Sequence, residues 1–289
     1  MTNNNDSKSK RAVTTRLESR TAMFLPVKQV SKNFTSTDIE VRNNYGVITL
    51  RKCKLTQVHR NIVDIIFSSY EPIKVDGGGV AFTFSKYDVL KALGHTHRFN
   101  NKWLENKLED MRQASIVLQS EDDEKSVKCY QGVVREHQET ILKSSNGQPL
   151  YGVVFSPNFM KMFNFDLNIH SAKLTPVILK FEHAVTQAFA RACISHRQLN
   201  ADLDEILQSI GVNKDTVTGR AYSKNRKHVL DEREALEHHL GISIKPMKKD
   251  SRKWAVFYKQ HNDVWFSDPS KKHKPAQKPD PAPEEAELV

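Results

Sequence analysis

The pattern of hydrophobic residues along this chain predicts the same order of helices and strands twice, over residues 55–134 and residues 174–260. In each stretch, apolar residues at helical spacing predict a long helix, a short helix and a second long helix. Alternating apolar residues then predict two short strands around a charged turn. The short helices end on matching signals, Leu93-Gly94 and Ile210-Gly211, and glycine is the residue that most often follows a helix end.

In the first copy, Ser85 is placed to cap the short helix. A strand at residues 116–118 follows the second long helix, and residues 127–134 are its predicted partner. A further strand at residues 151–155 ends at Ser156-Pro157, where another helix begins. The positions predicted to be buried by the two long helices are Leu55, Val58, Ile62, Ile65 or Ile66, Leu104, Leu108 and Met111.

In the second copy, Thr175-Pro176 begins one long leading helix, because a capping residue is followed there by proline at the first helical position. Asn200 is the predicted cap of the short helix, and the second long helix is predicted over residues 218–240. A strand at residues 242–246 then pairs with a second strand. The buried face predicted for the leading helix consists of Ile178, Phe181, Val185, Ala188 or Phe189, and Ala192. Trp254, Val256 and Tyr258 alternate in the second strand.

A helix–turn–helix followed by a β-ribbon is the outline of a winged helix. The chain is therefore predicted to be a helix-rich α+β protein with two winged-helix domains in tandem. The predicted divisions are a disordered basic arm at residues 1–40, an N-terminal winged helix at 41–165, a C-terminal winged helix at 166–267 and a disordered tail at 268–289. The tail is rich in proline and charge, and such a composition buries too little apolar surface to order itself.

The charge balance favours a polyanionic partner. The formal net charge is +10 and the isoelectric point is about 9.4, which indicates nucleic acid or an anionic membrane, although lysine-rich tails produce the same excess. Cys53, Cys129 and Cys193 lie far apart in the sequence and form no C-x-x-C pair. This spacing fits reduced thiols in a cytosolic protein better than a disulfide framework or a zinc finger. No apolar run approaches the ~20 residues that span a bilayer, and the N-terminus lacks the apolar core of a secretory signal. We therefore expect a cytoplasmic protein without membrane contact.

The second long helix of the second copy has a basic half and an acidic half. At roughly 100° per residue, Lys224 and Lys227 lie on the same side as Arg220 and opposite the apolar residues. No acidic residue occurs between Thr216 and Leu230. Recognition helices contact bases mainly through their N-terminal residues, so this half is a candidate DNA-reading surface. Its candidate DNA-binding residues are Thr218, Arg220, Ser223, Lys224, Asn225, Arg226 and Lys227.

The turns between the paired strands carry opposite charges in the two copies. The first turn contains the four acids at residues 121–124, whereas the second contains Lys248, Lys249, Arg252 and Lys253, which are further candidate DNA contacts. The first copy's second helix also mixes three cations, Lys102, Lys107 and Arg112, with three acids. The second copy is therefore predicted to bind DNA, and the first to bind protein or to touch DNA only weakly.

This arrangement resembles the plasmid replication initiators that bind iteron repeats in theta replication. The stretches that carry the resemblance are FTFSKYDVLKALG, NNKWLENKLEDMRQASIVL, LDEILQSIG and GRAYSKNRKHVLDEREALEHHLGISI, within roughly residues 40–267. The resemblance implies binding to direct repeats at a plasmid origin, opening of AT-rich DNA and recruitment of the host initiator and the replicative helicase. It also implies a homodimer formed through the N-terminal winged helix, with dimers repressing the initiator's own gene.

Other function classes have weaker sequence support. A transcriptional regulator built on the same module is the main alternative. His95-Thr96-His97, with Tyr87 and Lys91, partly matches the metal motif and catalytic pair of rolling-circle nickases, but threonine replaces the hydrophobic residue between the histidines. No sequence motif pairs a catalytic nucleophile with a general base. The run Gly77-Gly78-Gly79 lacks the lysine of a phosphate-binding loop. The sequence therefore predicts no enzyme activity, no metal and no cofactor.

Overall fold

The structure is a computed structural model that describes residues 12–30, 38–43, 46–52, 54–95, 100–119, 126–129, 132–144, 147–212, 217–248 and 250–269. The chain folds as a mixed α+β protein, as the sequence predicts. Within the described ranges, no helix has the length and apolar character needed to cross a membrane. Of the predicted N-terminal arm, residues 1–11 and 31–37 lie outside these ranges, and of the predicted C-terminal tail, residues 270–289 do.

The described elements follow one another as helices and short strands. The helices are α1 (Arg16–Arg20), α2 (Gln57–Ser69), α3 (Lys86–Ala92), α4 (Asn101–Gln113), α5 (Pro157–Phe165), α6 (Thr175–Ile178), α7 (Ala184–Ile194), α8 (Leu203–Ser209), α9 (Gly219–Asp231) and α10 (Arg233–Leu240). The strands are β1 (Thr14–Thr15), β2 (Ile39–Asn43), β3 (Gly46–Arg51), β4 (Ile73–Lys74), β5 (Val80–Phe84), β6 (Ser115–Gln119), β7 (Val127–Cys129), β8 (Val134–Lys143), β9 (Pro149–Phe155), β10 (Asn168–His170), β11 (Gln198–Asp202), β12 (Ile242–Pro246), β13 (Trp254–Lys259) and β14 (Trp265–Ser267).

Two hydrophobic cores divide the described chain, one ending at Met162 and the other beginning at Ile169. In the first core, α2, α3 and α4 pack against two four-stranded sheets of order β2-β3-β6-β7 and β4-β5-β9-β8. Leu104, Leu108 and Met111 of α4 are all fully buried, which confirms their predicted positions. Ser85 caps α3 as predicted, since its hydroxyl accepts from the Asp88 amide at 3.2 Å.

The second core is smaller and packs α7 to α10 on the antiparallel sheet β11-β13-β12. Gly211 ends the α8 turn with a φ of +88°, and Gly241 ends α10 with a φ of +68°. Both backbones lie in the left-handed region that favours glycine. β12 and β13 pair in register from Ile242 with Tyr258 to Pro246 with Trp254, as the alternation of their apolar residues predicts.

A buried ionic network joins the two cores through their leading helices. Arg191 of α7 donates to Asp64 at 2.8 Å, to Gln57 at 2.9 Å and to Asn61 at 2.7 Å, all on α2. Arg60 donates to Asp64 at 2.7 Å and lies 2.6 Å from Glu18 of α1. The two guanidinium groups therefore face two carboxylates inside the protein. A buried charge is tolerated only when it is paired in this way.

The predicted disordered arm over residues 1–40 is wrong for residues 12–30. β1 pairs with β10, and Leu17, Met23 and Phe24 are buried, so this segment belongs to the fold. Residues 15–20 contact both halves: the Leu17 amide donates to Asp166, and Arg20 donates to Ser195 at 2.7 Å. The segment has no regular apolar period, so its burial depends on partners that are distant in sequence.

The strand pairing of the first half also differs from the prediction. β6 pairs with β7 over residues 127–129 only, whereas Val134 belongs to β8, which pairs with β9. Gly132 separates the two strands with a φ of +95°. A side chain there would collide with the Met111 and Arg112 carbonyl groups, so the chain turns at this glycine and leaves the first sheet.

Three helix boundaries in the second half are corrected by the structure. The predicted leading helix is divided into α6 and α7, because His183 is extended and caps the second segment. The predicted helix over residues 218–240 is divided at Glu232. Asp202, and not Asn200, caps α8: its carboxylate accepts from the Asp204 amide at 2.8 Å, while Asn200 lies within β11 opposite Phe257.

Candidate nucleic-acid interface

The candidate surface is built on α9, which the second core holds in place. Val229 is fully buried beneath the helix, and Thr218 caps its start by accepting from the Ala221 amide at 3.3 Å. The backbone at Gly211, just after α8, packs closely on the N-terminal segment, because a Cβ there would lie 2.8 Å from the Ala22 Cβ. The N-terminal segment therefore helps to fix the helix that carries the candidate DNA-reading residues.

Three cations of α9 are exposed and carry no ion pair within the described part of the chain: Arg220, Lys224 and Lys227. They lie on the side of α9 opposite the buried Val229. Charged groups without partners keep their full attraction for an anion. The structure therefore brings together the three cations that the sequence placed on one face.

Arg226, which the sequence predicts to contact DNA, is bonded within the protein. Its guanidinium group is about one-fifth exposed, donates to Asp204 of α8 at 2.9 Å and donates to the Arg252 carbonyl at 2.5 Å. Asp204 also bonds Tyr222, and burial together with this bond raises the pKa of the tyrosine. Arg226 thus connects α9 to α8 and to the turn between β12 and β13, and it positions this surface.

Two further predicted residues are only partly available on this surface. Asn225 is half-buried and lines an apolar cavity with Leu25, Val212 and Val217. Ser223 is exposed, and its hydroxyl donates to the Gly219 carbonyl of its own helix at 2.9 Å. That hydroxyl retains only its acceptor capacity, which does not suit a phosphate oxygen.

The turn between β12 and β13 adds a second basic group. Lys248, Arg252 and Lys253 are exposed, and the side chain of Arg252 is 90% accessible. Asp250 lies 3.2 Å from the Arg252 guanidinium, and bonds from the Arg252 backbone and side chain lower the pKa of its carboxyl. Lys249 lies outside the described residues. The basic surface is defined here as Arg220, Lys224, Lys227, Lys248, Arg252 and Lys253.

The corresponding helix of the first half has its cations neutralised. Lys107 lies 2.6 Å from Asp110, and Lys102 lies 3.8 Å from Glu105. Arg112 holds Glu109 in a two-pronged pair at 2.6 and 2.7 Å, which lowers the pKa of that carboxyl to about 2. The acidic turn at residues 121–124 lies outside the described residues. The three cations of α4 are therefore paired, whereas Arg220, Lys224 and Lys227 of α9 have no ion pair in the described chain.

The histidine motif forms no metal-binding group in the described chain. His95 packs on Trp103 with ring centroids 4.6 Å apart and bonds the Asn100 amide, while His97 lies outside the described residues. The described residues contain no cluster of three or more His, Cys, Asp or Glu side chains that could hold a metal ion. His238 and His239 are exposed on α10, with their rings inclined at 69° to each other.

Sequence reasoning missed two contacts that only the fold creates. One is the link from Arg226 to Asp204 and Arg252, and the other is a stacked pair, His183 and His228, whose ring centroids are 3.6 Å apart. Neither contact follows a local spacing. No protein-family model matches this chain, and no curated protein or solved structure matches it either.

Proposed function

We propose that this protein is a duplex-DNA-binding initiator of plasmid replication, which binds repeated sites at an origin. The observation that carries the proposal is the basic surface of the second half. Arg220, Lys224 and Lys227 of α9 have no ion pair in the described chain, whereas the cations of α4 are paired. Exposed cations on a helix and an adjoining turn suit the phosphate groups that flank a DNA groove.

The arrangement of elements supports a winged-helix interpretation of the second half. α8 precedes α9 as the first helix of a helix–turn–helix would, and β12 and β13 form an antiparallel ribbon whose turn is bonded to α9 through Arg226. α9 would then enter the major groove, with Arg220 reading bases, while the ribbon turn holds the backbone. The first half has the same helix order, with α2, α3 and α4 followed by β6 and β7.

The deciding experiment is footprinting on the DNA that flanks the gene, followed by a replication assay. We expect protection of several copies of one short sequence, and autonomous replication of a plasmid that carries only this gene and those repeats. Repression of the gene by its own product is expected from the same sites. Protection of a single operator without origin activity would instead identify a transcriptional regulator, and the absence of any protected repeat would contradict initiation.

Two protein partners follow from the initiator proposal, the host initiator and the replicative helicase. The paired charges of α4 support a protein-facing role for the first half, because such a surface gives little net attraction for phosphate. Bead-bound protein is expected to capture both partners only when the first half is intact.

We also propose a homodimer that forms through the first half. β8 is an edge strand of its sheet, and its Ile141 and Leu142 are 98% and 55% exposed. Exposed apolar residues on a free edge favour pairing with a second chain. Replacing both with aspartate is expected to convert the dimer to monomer in sedimentation equilibrium, while Ile73→Asp at the opposite edge leaves it unchanged. A monomeric wild type, or equal loss in both variants, would contradict this interface.

A further inference from the structure

The rings of His183 and His228 are in contact beside the basic surface. His183 caps α7, and His228 lies on α9 one turn after Lys224. The ring centroids are 3.6 Å apart with an interplanar angle of 31°, and both residues are partly exposed. One imidazole from each of two packed helices is therefore available at the edge of the surface that we propose to face DNA.

The surroundings of the pair favour the neutral form of His228 in the free protein. Partial burial, His183 and Lys224 lower the pKa of His228 from its ordinary value of 6.5, against the opposing attraction of Asp231 and Glu232. One oxygen of Glu232 already accepts from the Glu182 amide at 2.8 Å. Two protonated rings at this separation would repel strongly, so the pair accommodates at most one proton readily.

We propose that the His183–His228 pair binds a phosphate group of the DNA backbone and does so in its singly protonated form. A phosphate oxygen can accept an N–H from each ring, and its negative charge offsets the proton that the free pair disfavours. The inference rests on the duplex binding proposed above. It adds a phosphate contact from α7, so that both the leading helix and the recognition helix of the second half hold the same strand.

The proposal predicts that DNA binding is coupled to proton uptake. The phosphate raises the pKa of His228 in the complex above its lowered value in the free protein. Affinity therefore rises as pH falls through the pKa of His228 in the complex, and it stops rising below its pKa in the free protein. Because the gain comes from one added charge, the salt dependence of binding should also steepen by about one phosphate contact at low pH.

The test is fluorescence anisotropy with a labelled mixed-sequence duplex of about three helical turns. At constant salt, we expect the wild type to bind about fivefold more tightly at about pH 6 than at about pH 8. His183→Gln and His228→Gln are each expected to reduce this ratio to less than about twofold. His228→Arg should bind with little pH dependence, because its charge is permanent. Thermal melts of the variants check that each one folds.

The matched controls are His238→Gln and His239→Gln, which alter exposed histidines on α10 away from the pair. Both controls should keep the wild-type pH ratio. Retention of the full ratio in the His183 and His228 variants, or a wild type without pH dependence, would overturn the proposal. Equal loss in the α10 controls would overturn it as well, since the effect would then belong to histidines in general.

A second measurement separates this site from the proposed function. Histidine side-chain NMR signals of the free protein are followed while inorganic phosphate is added at about pH 6. Saturable shifts confined to His183 and His228 support the site even if no duplex binds, in which case the DNA-binding proposal fails alone. Shifts of equal size at His238 and His239, or none at the pair, would refute the site even if the duplex binds.

Discussion

The triple variant Arg220→Ala, Lys224→Ala, Lys227→Ala is expected to lose specific duplex binding by at least about a hundredfold. Each side chain is exposed on α9 and has no ion pair in the described chain, so no described carboxylate neutralises its charge. Every phosphate contact that is removed should also lower the slope of log affinity against log salt by about 0.9. Gel shifts over a range of salt concentrations measure both quantities.

The matched control is the variant Lys102→Ala, Lys107→Ala, Arg112→Ala, which removes three cations from the equivalent helix of the first half. Each of these residues faces a carboxylate of its own helix within 2.6–3.8 Å. Exposed ion pairs contribute only about 0–1 kcal/mol each, so folding should survive. Binding should change by less than about threefold. Equal losses from the two sets would show that the basic surface of the second half is not the DNA-binding face.

Arg191→Ala is expected to be the most destabilising single substitution among those considered, at about 3–5 kcal/mol. The side chain is 4% exposed, and its removal leaves Asp64 with one cation fewer and leaves Gln57 and Asn61 without their donors. Each group would then be buried with an unmet hydrogen bond. The free energy of unfolding, measured in urea, gives the loss directly.

Arg233→Ala is the control for this prediction, because Arg233 forms an exposed pair with Glu234 at 3.4 Å. Its loss should change the free energy of unfolding by less than about 0.5 kcal/mol. A double-mutant cycle with Asp64→Asn should show that the effects of Arg191 and Asp64 are coupled. Similar small losses for Arg191→Ala and Arg233→Ala would mean that the network between the two cores contributes little to stability.

Local patterns predicted the helices of this protein well. Leu104, Leu108 and Met111 recur at helical spacing and are all fully buried, and α9 begins next to Thr218, where the sequence predicts the start of a helix. Such signals succeed because a helix satisfies its backbone and exposes one face through residues that are close in sequence. The exposed cations of α9 were predicted for the same reason.

Contacts between distant residues were predicted less well. The pairing of β8 with β9, the burial of residues 12–30 and the capping of α8 by Asp202 all depend on partners chosen by packing. Alternating apolar residues predict which face of a strand is buried, but they do not predict which strand pairs with it. Asn200 and Asp202 are both acceptable capping residues, and the pairing of β11 with β13 decides between them.

The sequence by itself therefore determined the repeated helix order and the contrast in charge between α4 and α9, because both are periodic properties of single segments. Only the tertiary structure decided which of those charges are free. Arg226 is engaged with Asp204 and the Arg252 carbonyl, whereas Lys224 and Lys227 are not. The same packing stacks His183 on His228. A charge becomes available to a ligand only when no neighbour in the fold neutralises it, and neighbours across elements are set by packing rather than by spacing.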